Sequence, residues 1–239
     1  MSDELDVYHK FKKDDVDQFM DNHIYLPTRT IYMGSMGGSD ENGENGTDYL
    51  MAETVIKALH ILDNQDSASL KGEKPINIIM NNIGGDVYHG MAIYDAISNC
   101  KNHVTIRVHG YAMSMGSIIL QAADTRIMTK HSRVMVHYGS FGMEAHNKTT
   151  YKWAEECKRV DTIMENIFLE KIKGNKITLE KYLKLIDKTG EIPAGNAKNK
   201  KIPIGKKELE EMLNFDTIID AETALELNLI DKIEDNSNG

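Results

Sequence analysis

Apolar residues recur along this chain with two periods, short runs that suit strands and longer 3.6-residue patterns that suit helices. Thr30-Ile31-Tyr32-Met33 reads as a first short strand, and Ser35 to Thr47, rich in Gly, Asn, Asp and Glu, as a solvated loop. Leu50, Met51, Val55, Ile56, Leu59 and Leu62 then share one helical face, with Thr47 or Asp48 as the cap. A polar stretch from Asp63 to Pro75 leads to Ile76-Asn77-Ile78-Ile79-Met80, a buried strand. After Asn81-Asn82-Ile83-Gly84-Gly85-Asp86, a helix runs through Met91, Ile93, Tyr94 and Ile97. Val104 to His109 predicts another strand, followed by a small-residue helix over Ile118–Ala123. Thr125 to Met128 and Val134 to His137 are two more short strands. One long helical pattern covers Lys148 to Lys173 through Trp153, Val160, Ile163, Ile167 and Phe168. Glu208–Leu213 is helical, and a last helix, Ala221–Leu227, precedes the strand-like Leu229-Ile230-Asp231-Lys232-Ile233.

Strands alternating with helices predict an α/β fold with parallel sheet character, in recurring ββα-like units. No linker of domain scale interrupts the pattern, so residues 24–239 are expected to form one domain. Residues 1–23 are charged and aperiodic, and read as an arm that is mobile or ordered by a partner.

Composition narrows the function classes. The chain has 239 residues, 41% hydrophobic and 27% charged, the make-up of a soluble protein with a sizeable core. A net charge of −9, with no basic stripe among aromatics, argues against nucleic acid as a partner. The acidic start Met1-Ser2-Asp3-Glu4-Leu5-Asp6 leads into no apolar run, so no secretory signal is expected. No stretch approaches the roughly 18 apolar residues of a membrane span. Cys100 and Cys157 form no CxxC pair, which points to a reducing, cytoplasmic setting.

The candidate chemistry centres on Gly110-Tyr111-Ala112-Met113-Ser114-Met115-Gly116-Ser117. Ser114 stands between a strand and a helix, where a hydroxyl meets the electropositive first helical turn. The free amide of Met115 would face an oxygen gaining charge as Ser114 attacks a carbonyl. Gly84-Gly85 sits between a strand and a helix one unit earlier. Such a pair permits positive φ and close backbone approach, and its Gly85 amide would be a second donor to the same oxygen. A hydroxyl nucleophile needs a base, and the base needs a group that fixes its tautomer. Of nine histidines, His137 stands out because it closes an apolar strand and would emerge at a sheet edge. Asp216 and Asp220 are the acids at the right end of the chain. Asp220 is placed to cap the helix from Ala221; Asp216 has no such employment and is the choice.

Together these pieces resemble the Clp protease proteolytic subunit family of self-compartmentalising serine peptidases. Asn82-Ile83-Gly84-Gly85 with Gly90-Met91-Ala92-Ile93-Tyr94-Asp95 is similar to the family's oxyanion loop and following helix. Gly110 to Gly116 resembles its nucleophile motif, and Ser132-Arg133-Val134-Met135-Val136-His137 its base motif. Asp216-Thr217-Ile218-Ile219-Asp220-Ala221, with Ala224 and Leu229-Ile230-Asp231, resembles the acid and terminal motif. The resemblance implies a spiral of ββα units, shared with crotonases, from which a long handle helix protrudes. It implies Ser114 as nucleophile, His137 as base and acid, Asp216 as orienting carboxylate, and Gly85 and Met115 as oxyanion donors. It implies no metal and no organic cofactor, ATP being used by a partner AAA+ unfoldase and not bound by this chain. Family members stack two rings of seven around a chamber that admits unfolded protein, which makes a tetradecamer the expected homo-oligomer.

The chain departs from that pattern at Tyr111 and Met113 beside the serine, at Tyr138-Gly139 after the histidine, and at Asn214-Phe215 before the acid. Ser140-Phe141-Gly142-Met143 stands where the family has its peptide-binding glycine-rich strand. An apparent insertion, 187–207, carries Gly190, Pro193, Gly195, Pro203 and Gly205 among lysines and reads as a solvated loop. Two other readings compete: a phage head-maturation protease of similar fold working without an unfoldase, and a crotonase-type acyl-CoA enzyme. The latter would leave Ser114 and His137 without a purpose. A catalytically silent ring subunit is disfavoured because all three triad positions are filled.

Overall fold

A computed structural model describes residues 13–34, 46–64 and 74–235. The loops read from sequence at Ser35–Thr47 and Asp63–Pro75 lie mostly outside them, as does the start of the N-terminal arm. The rest of that arm begins the described structure. Helix α1 (Lys13–Asn22) sets Phe19 edge-on against Tyr25 and Tyr32.

The architecture is α/β around a sheet ordered β1-β2-β3-β4-β5-β10. Its strands are β1 (Ile24–Tyr25), β2 (Thr30–Met33), β3 (Ile76–Asn82), β4 (Val104–Met113), β5 (Thr125–Thr129) and β10 (Lys232–Glu234). All neighbours are parallel except β1 and β2. Alternation along β3 buries Ile76, Ile78, Met80 and Asn82, and the matching residues Ile106 and Val108 of β4 complete one core face. Helices α2 (Tyr49–Asn64) and α3 (Val87–Ser98) cover it with Met51, Val55, Leu59, Ile93 and Ile97. Asp48 accepts the Met51 amide at 2.9 Å and so begins α2, while Thr47 is drawn into other work.

The ten-residue β4 changes partners halfway. Its first half pairs with β5, and beyond Gly110 (φ +81°) residues Tyr111–Met113 pair with β6 (Arg133–Val136). A Cβ at Gly110 would stand 2.6 Å from the Asn81 side-chain oxygen, so the bend needs glycine. β6 in turn pairs antiparallel with β9 (Thr217–Asp220). Helix α4 (Met115–Leu120) starts and ends earlier than the Ile118–Ala123 pattern suggests, and beyond it the amides of Ala122 and Ala123 turn to carbonyls three residues back.

Helix α5 (Asn147–Ile172) runs for 26 residues. Its last half buries Met164, Ile167, Phe168 and Ile172, and Tyr151 and Trp153 near its start are exposed. The stretch read as an insertion is only partly irregular. It follows α6 (Leu179–Leu185), makes two short 3-10 turns, and its strand β8 (Lys201–Pro203) pairs with β7 (Lys176–Thr178) before α7 (Lys206–Leu213). Helix α8 (Ala221–Glu226) starts at Asp220, whose carboxylate accepts the Thr223 amide at 2.7 Å.

Buried Arg126 locks the chain's last turn to the sheet. It donates to both Asp231 oxygens at 2.7 and 3.0 Å, to Gln121 at 2.8 Å and to the Asn228 carbonyl at 2.8 Å. Burial pushes the Asp231 carboxyl up, but hydrogen bonds and charge from Arg126 outweigh it and hold it below the ordinary carboxylate value. That stabilisation is present above the unfolded-state pKa and is lost as pH falls through the lower folded one. Asp231→Ala is expected to cost about 3 kcal/mol, since Arg126 is left buried without its counter-charge. A urea titration at neutral pH measures the loss, which shrinks in acid.

Candidate active site

Ser114 stands at the C-terminal end of the interior strand β4, and the start of α4 turns away from it. Ser114 takes φ +50° and ψ −123°, a conformation that side chains avoid and that surrounding contacts must hold. Its amide donates to the Met135 carbonyl at 2.9 Å, and its carbonyl accepts from the Ser117 amide and, at 2.6 Å, the Ser117 hydroxyl.

The β6–β9 ladder brings the other two groups together. Its last pair is Val136 opposite Thr217, so the next residue of one strand, His137, faces the preceding residue of the other, Asp216. His137 Nε2 lies 2.7 Å from Ser114 Oγ, and His137 Nδ1 lies 3.0 Å from Asp216 Oδ1. A single imidazole thus bridges hydroxyl and carboxylate. The imidazole is largely covered, whereas the Asp216 side chain is 73% exposed. Its place is fixed from behind: the Thr217 hydroxyl donates to the Met212 carbonyl at 2.7 Å, and the Thr217 amide to the Phe215 carbonyl at 2.8 Å.

The glycine pair is pressed against the serine. A Cβ on Gly84 (φ +104°) would stand 2.5 Å from Ser114 Cβ and 2.9 Å from the Met115 nitrogen. Thr47 donates its amide to the Gly84 carbonyl and accepts from the Asp86 amide. In a parallel bridge of this kind the middle residue's own N–H and C=O face the other way. The Gly85 N–H therefore points away from Thr47, and Gly85 lines the same cavity as Ser114 and His137. Met115 opens α4, so its N–H has no acceptor within the helix.

Sequence reasoning did not find what holds this loop. Asn82, fully buried, accepts the Gly84 amide at 2.6 Å, and its amide group donates to the Thr47 hydroxyl at 3.1 Å. Its signal was available: an asparagine on the buried face of an apolar strand demands partners.

Two adjoining cavities lie on the serine's side of this arrangement. One of about 220 Å³ adjoins the hydroxyl and has Val87, Ile118, Met164 and Phe168 in its wall. Another of about 430 Å³ shares Gly85, Gly139, Ser140 and Met164 with it. Trp153, flanked by Phe141 and Tyr88 at ring separations of 6.4 Å, walls its outer end. Residues 139–144 join no strand ladder among the described residues, leaving backbone donors and acceptors open beside both cavities. Among the described residues no cluster of His, Cys, Asp and Glu could hold a metal, and no helix is long and apolar enough to cross a membrane.

Comparison with known proteins is consistent across sequence and fold. The family model described as "Clp protease" matches residues 42–237. A curated "ATP-dependent Clp protease proteolytic subunit" of Deinococcus radiodurans is 36% identical over 118 residues, 48% of this chain and 55% of the relative. A chloroplastic "ATP-dependent Clp protease proteolytic subunit 3" of Arabidopsis thaliana is 32% identical, over 48% of this chain and 33% of its own length. The match thus spans about half or less of these relatives. A solved ClpP1 mutant from Listeria monocytogenes has the same fold, with a TM-score of 0.63 and 20% identity over 93% of this chain and 98% of that one.

Proposed function

The chain belongs to the Clp protease family, and from that premise we propose that it is a serine endopeptidase cutting unfolded protein inside an oligomeric chamber. The observation that carries the reading is the His137 imidazole in contact with Ser114 on one side and Asp216 on the other. As Ser114 Oγ attacks a peptide carbonyl, His137 Nε2 takes its proton, and Asp216 holds the Nδ1 proton and stabilises the imidazolium. The carbonyl oxygen, now negative, accepts from the Gly85 and Met115 amides. His137 then gives its proton to the leaving amine, and an acyl group remains on Ser114. Water, deprotonated by the same imidazole, releases the acyl group and restores the hydroxyl.

The small cavity beside the hydroxyl carries Val87, Ile118, Met164 and Phe168 and no carboxylate, ammonium or guanidinium group in its wall, so a substrate with Leu or Met before the cut is favoured over one with Asp or Lys. The open backbone of residues 139–144 suits an extended chain added as a strand. Such a site would cut many sequences, and a chamber fed by a AAA+ unfoldase restricts it to threaded chain. Phe215 and Ile218 beside β9, and Tyr151 and Trp153 near the start of α5, leave apolar side chains exposed of the kind that subunits cover in assembly. Two stacked rings of seven, with the exposed half of α5 as the handle between them, would cover such groups, and Cys100 and Cys157, which form no disulfide, suit the cytoplasm.

Light scattering on the purified protein is expected to give about fourteen times the 27.0 kDa chain mass, and the assembly to digest casein but not a tightly folded domain unless an unfoldase and ATP are added. A monomer that digests folded and unfolded protein alike would contradict the chamber.

A further inference from the structure

His137 lies one residue beyond the last β6–β9 ladder pair, so sheet hydrogen bonds do not fix it. The next residue, Tyr138, is held from two sides. Its amide donates to the carbonyl of Leu213, the final residue of α7, at 2.7 Å. Its hydroxyl donates to Glu165 on α5 at 2.6 Å. Glu165 is mostly covered and also pairs with Lys206, the first residue of α7, at 3.3 Å. Helix α7 is therefore tied to Tyr138 at its C-terminal end and, through Glu165, at its N-terminal end. Asp216 follows α7 by three residues, so the seat of that helix helps to place its largely exposed carboxylate. Burial, reinforced by the Glu165 hydrogen bond and by the nearby Glu210 and Asp161 carboxylates, raises the Tyr138 phenol far above its ordinary value, so it remains a donor.

We infer that Tyr138, Glu165 and Lys206 form a brace that sets the distance between His137 and Asp216. Tyr138 is a positioning residue: it touches neither substrate nor the reacting atoms, and acts by holding the base strand and the acid-bearing turn to the same two helices. Because Lys206 lies near the end of the 187–207 stretch, the brace also makes catalytic geometry depend on how that stretch is seated. The inference rests on the proposed roles of Ser114, His137 and Asp216.

The test compares steady-state hydrolysis of a short fluorogenic peptide by the full assembled protein and its variants. Tyr138→Phe keeps the ring and removes the hydroxyl; Glu165→Leu removes the acceptor; Glu165→Gln keeps an acceptor oxygen. The first two are expected to lower kcat about 10- to 100-fold with KM unchanged, as misplaced catalytic groups do. Their combination is expected to be no worse than either alone, and Glu165→Gln to recover most of the rate. Lys206→Met, at an exposed side chain, should lower kcat in the same direction by less. Variants that retain kcat within about twofold, losses that add, or Glu165→Gln as poor as Glu165→Leu would overturn the brace. If a fluorophosphonate still modifies Ser114 in those active variants, the brace alone falls; if it fails to modify Ser114 in the parent protein, the protease reading falls with it.

Discussion

Ser114→Ala is expected to lower peptide hydrolysis by about a million-fold, the scale on which a serine nucleophile matters when its triad acts as a unit. The fold should survive. Alanine at φ +50° is no more strained than serine, and the change removes one hydroxyl from a site open to water. Among the described residues, the side-chain partner lost is His137 Nε2. Stability should therefore shift by no more than about 1 kcal/mol, and the native mass should not change. A residual rate far above that level, with the same cleavage products, would assign the chemistry to another group.

Gly84→Ala is expected to lower kcat about 10²- to 10³-fold, comparable to losing an oxyanion donor. The added methyl would meet Ser114 Cβ at 2.5 Å and the Met113 carbonyl oxygen at 2.8 Å, both parts of a backbone corner that cannot yield cheaply. Relief requires the Gly84-Gly85 loop and the serine to separate, which moves the Gly85 and Met115 amides apart. The positive φ of Gly84 adds about 1–3 kcal/mol of strain, so the variant should also melt earlier. Gly190→Ala, where a Cβ would meet nothing within 4 Å, is the control and should keep parental activity. Circular dichroism at the assay temperature separates a displaced loop from an unfolded chain. A folded Gly84→Ala protein with parental kcat would show that this loop does not serve the reaction.

The elements around the site were legible where one period dominated. β3, α2 and α3 follow from Ile76 to Met80, from Met51 to Leu62 and from Met91 to Ile97, because their apolar residues all meet one core. The last strand was misplaced. Leu229 and Ile230 are as apolar as strand residues but belong to the turn after α8, where the Leu229 amide bonds the Ala224 carbonyl; pairing with β5 begins only at Lys232. The N-terminal helix α1 and the pieces between β7 and α7 had no clear signal, since short amphipathic segments there take their form from partners distant in sequence.

For the candidate site, Ser114 stands out by its strand-to-helix corner, whereas His137, a strand-terminal histidine among nine, stands out only beside that serine. Asp216 was separable from Asp220 only by elimination, and the reason is physical: its partner is set by the β6–β9 register, a long-range property. The Asn82–Thr47 and Tyr138–Glu165 contacts are of the same kind. Each joins side chains that no local spacing relates.

The most direct test of the account is reaction of the purified, assembled protein with a fluorophosphonate, followed by peptide mass mapping. The account predicts one adduct per chain, on Ser114, and no adduct in His137→Ala under the same conditions. An adduct on another residue, or one on Ser114 that forms equally fast without His137, would contradict it.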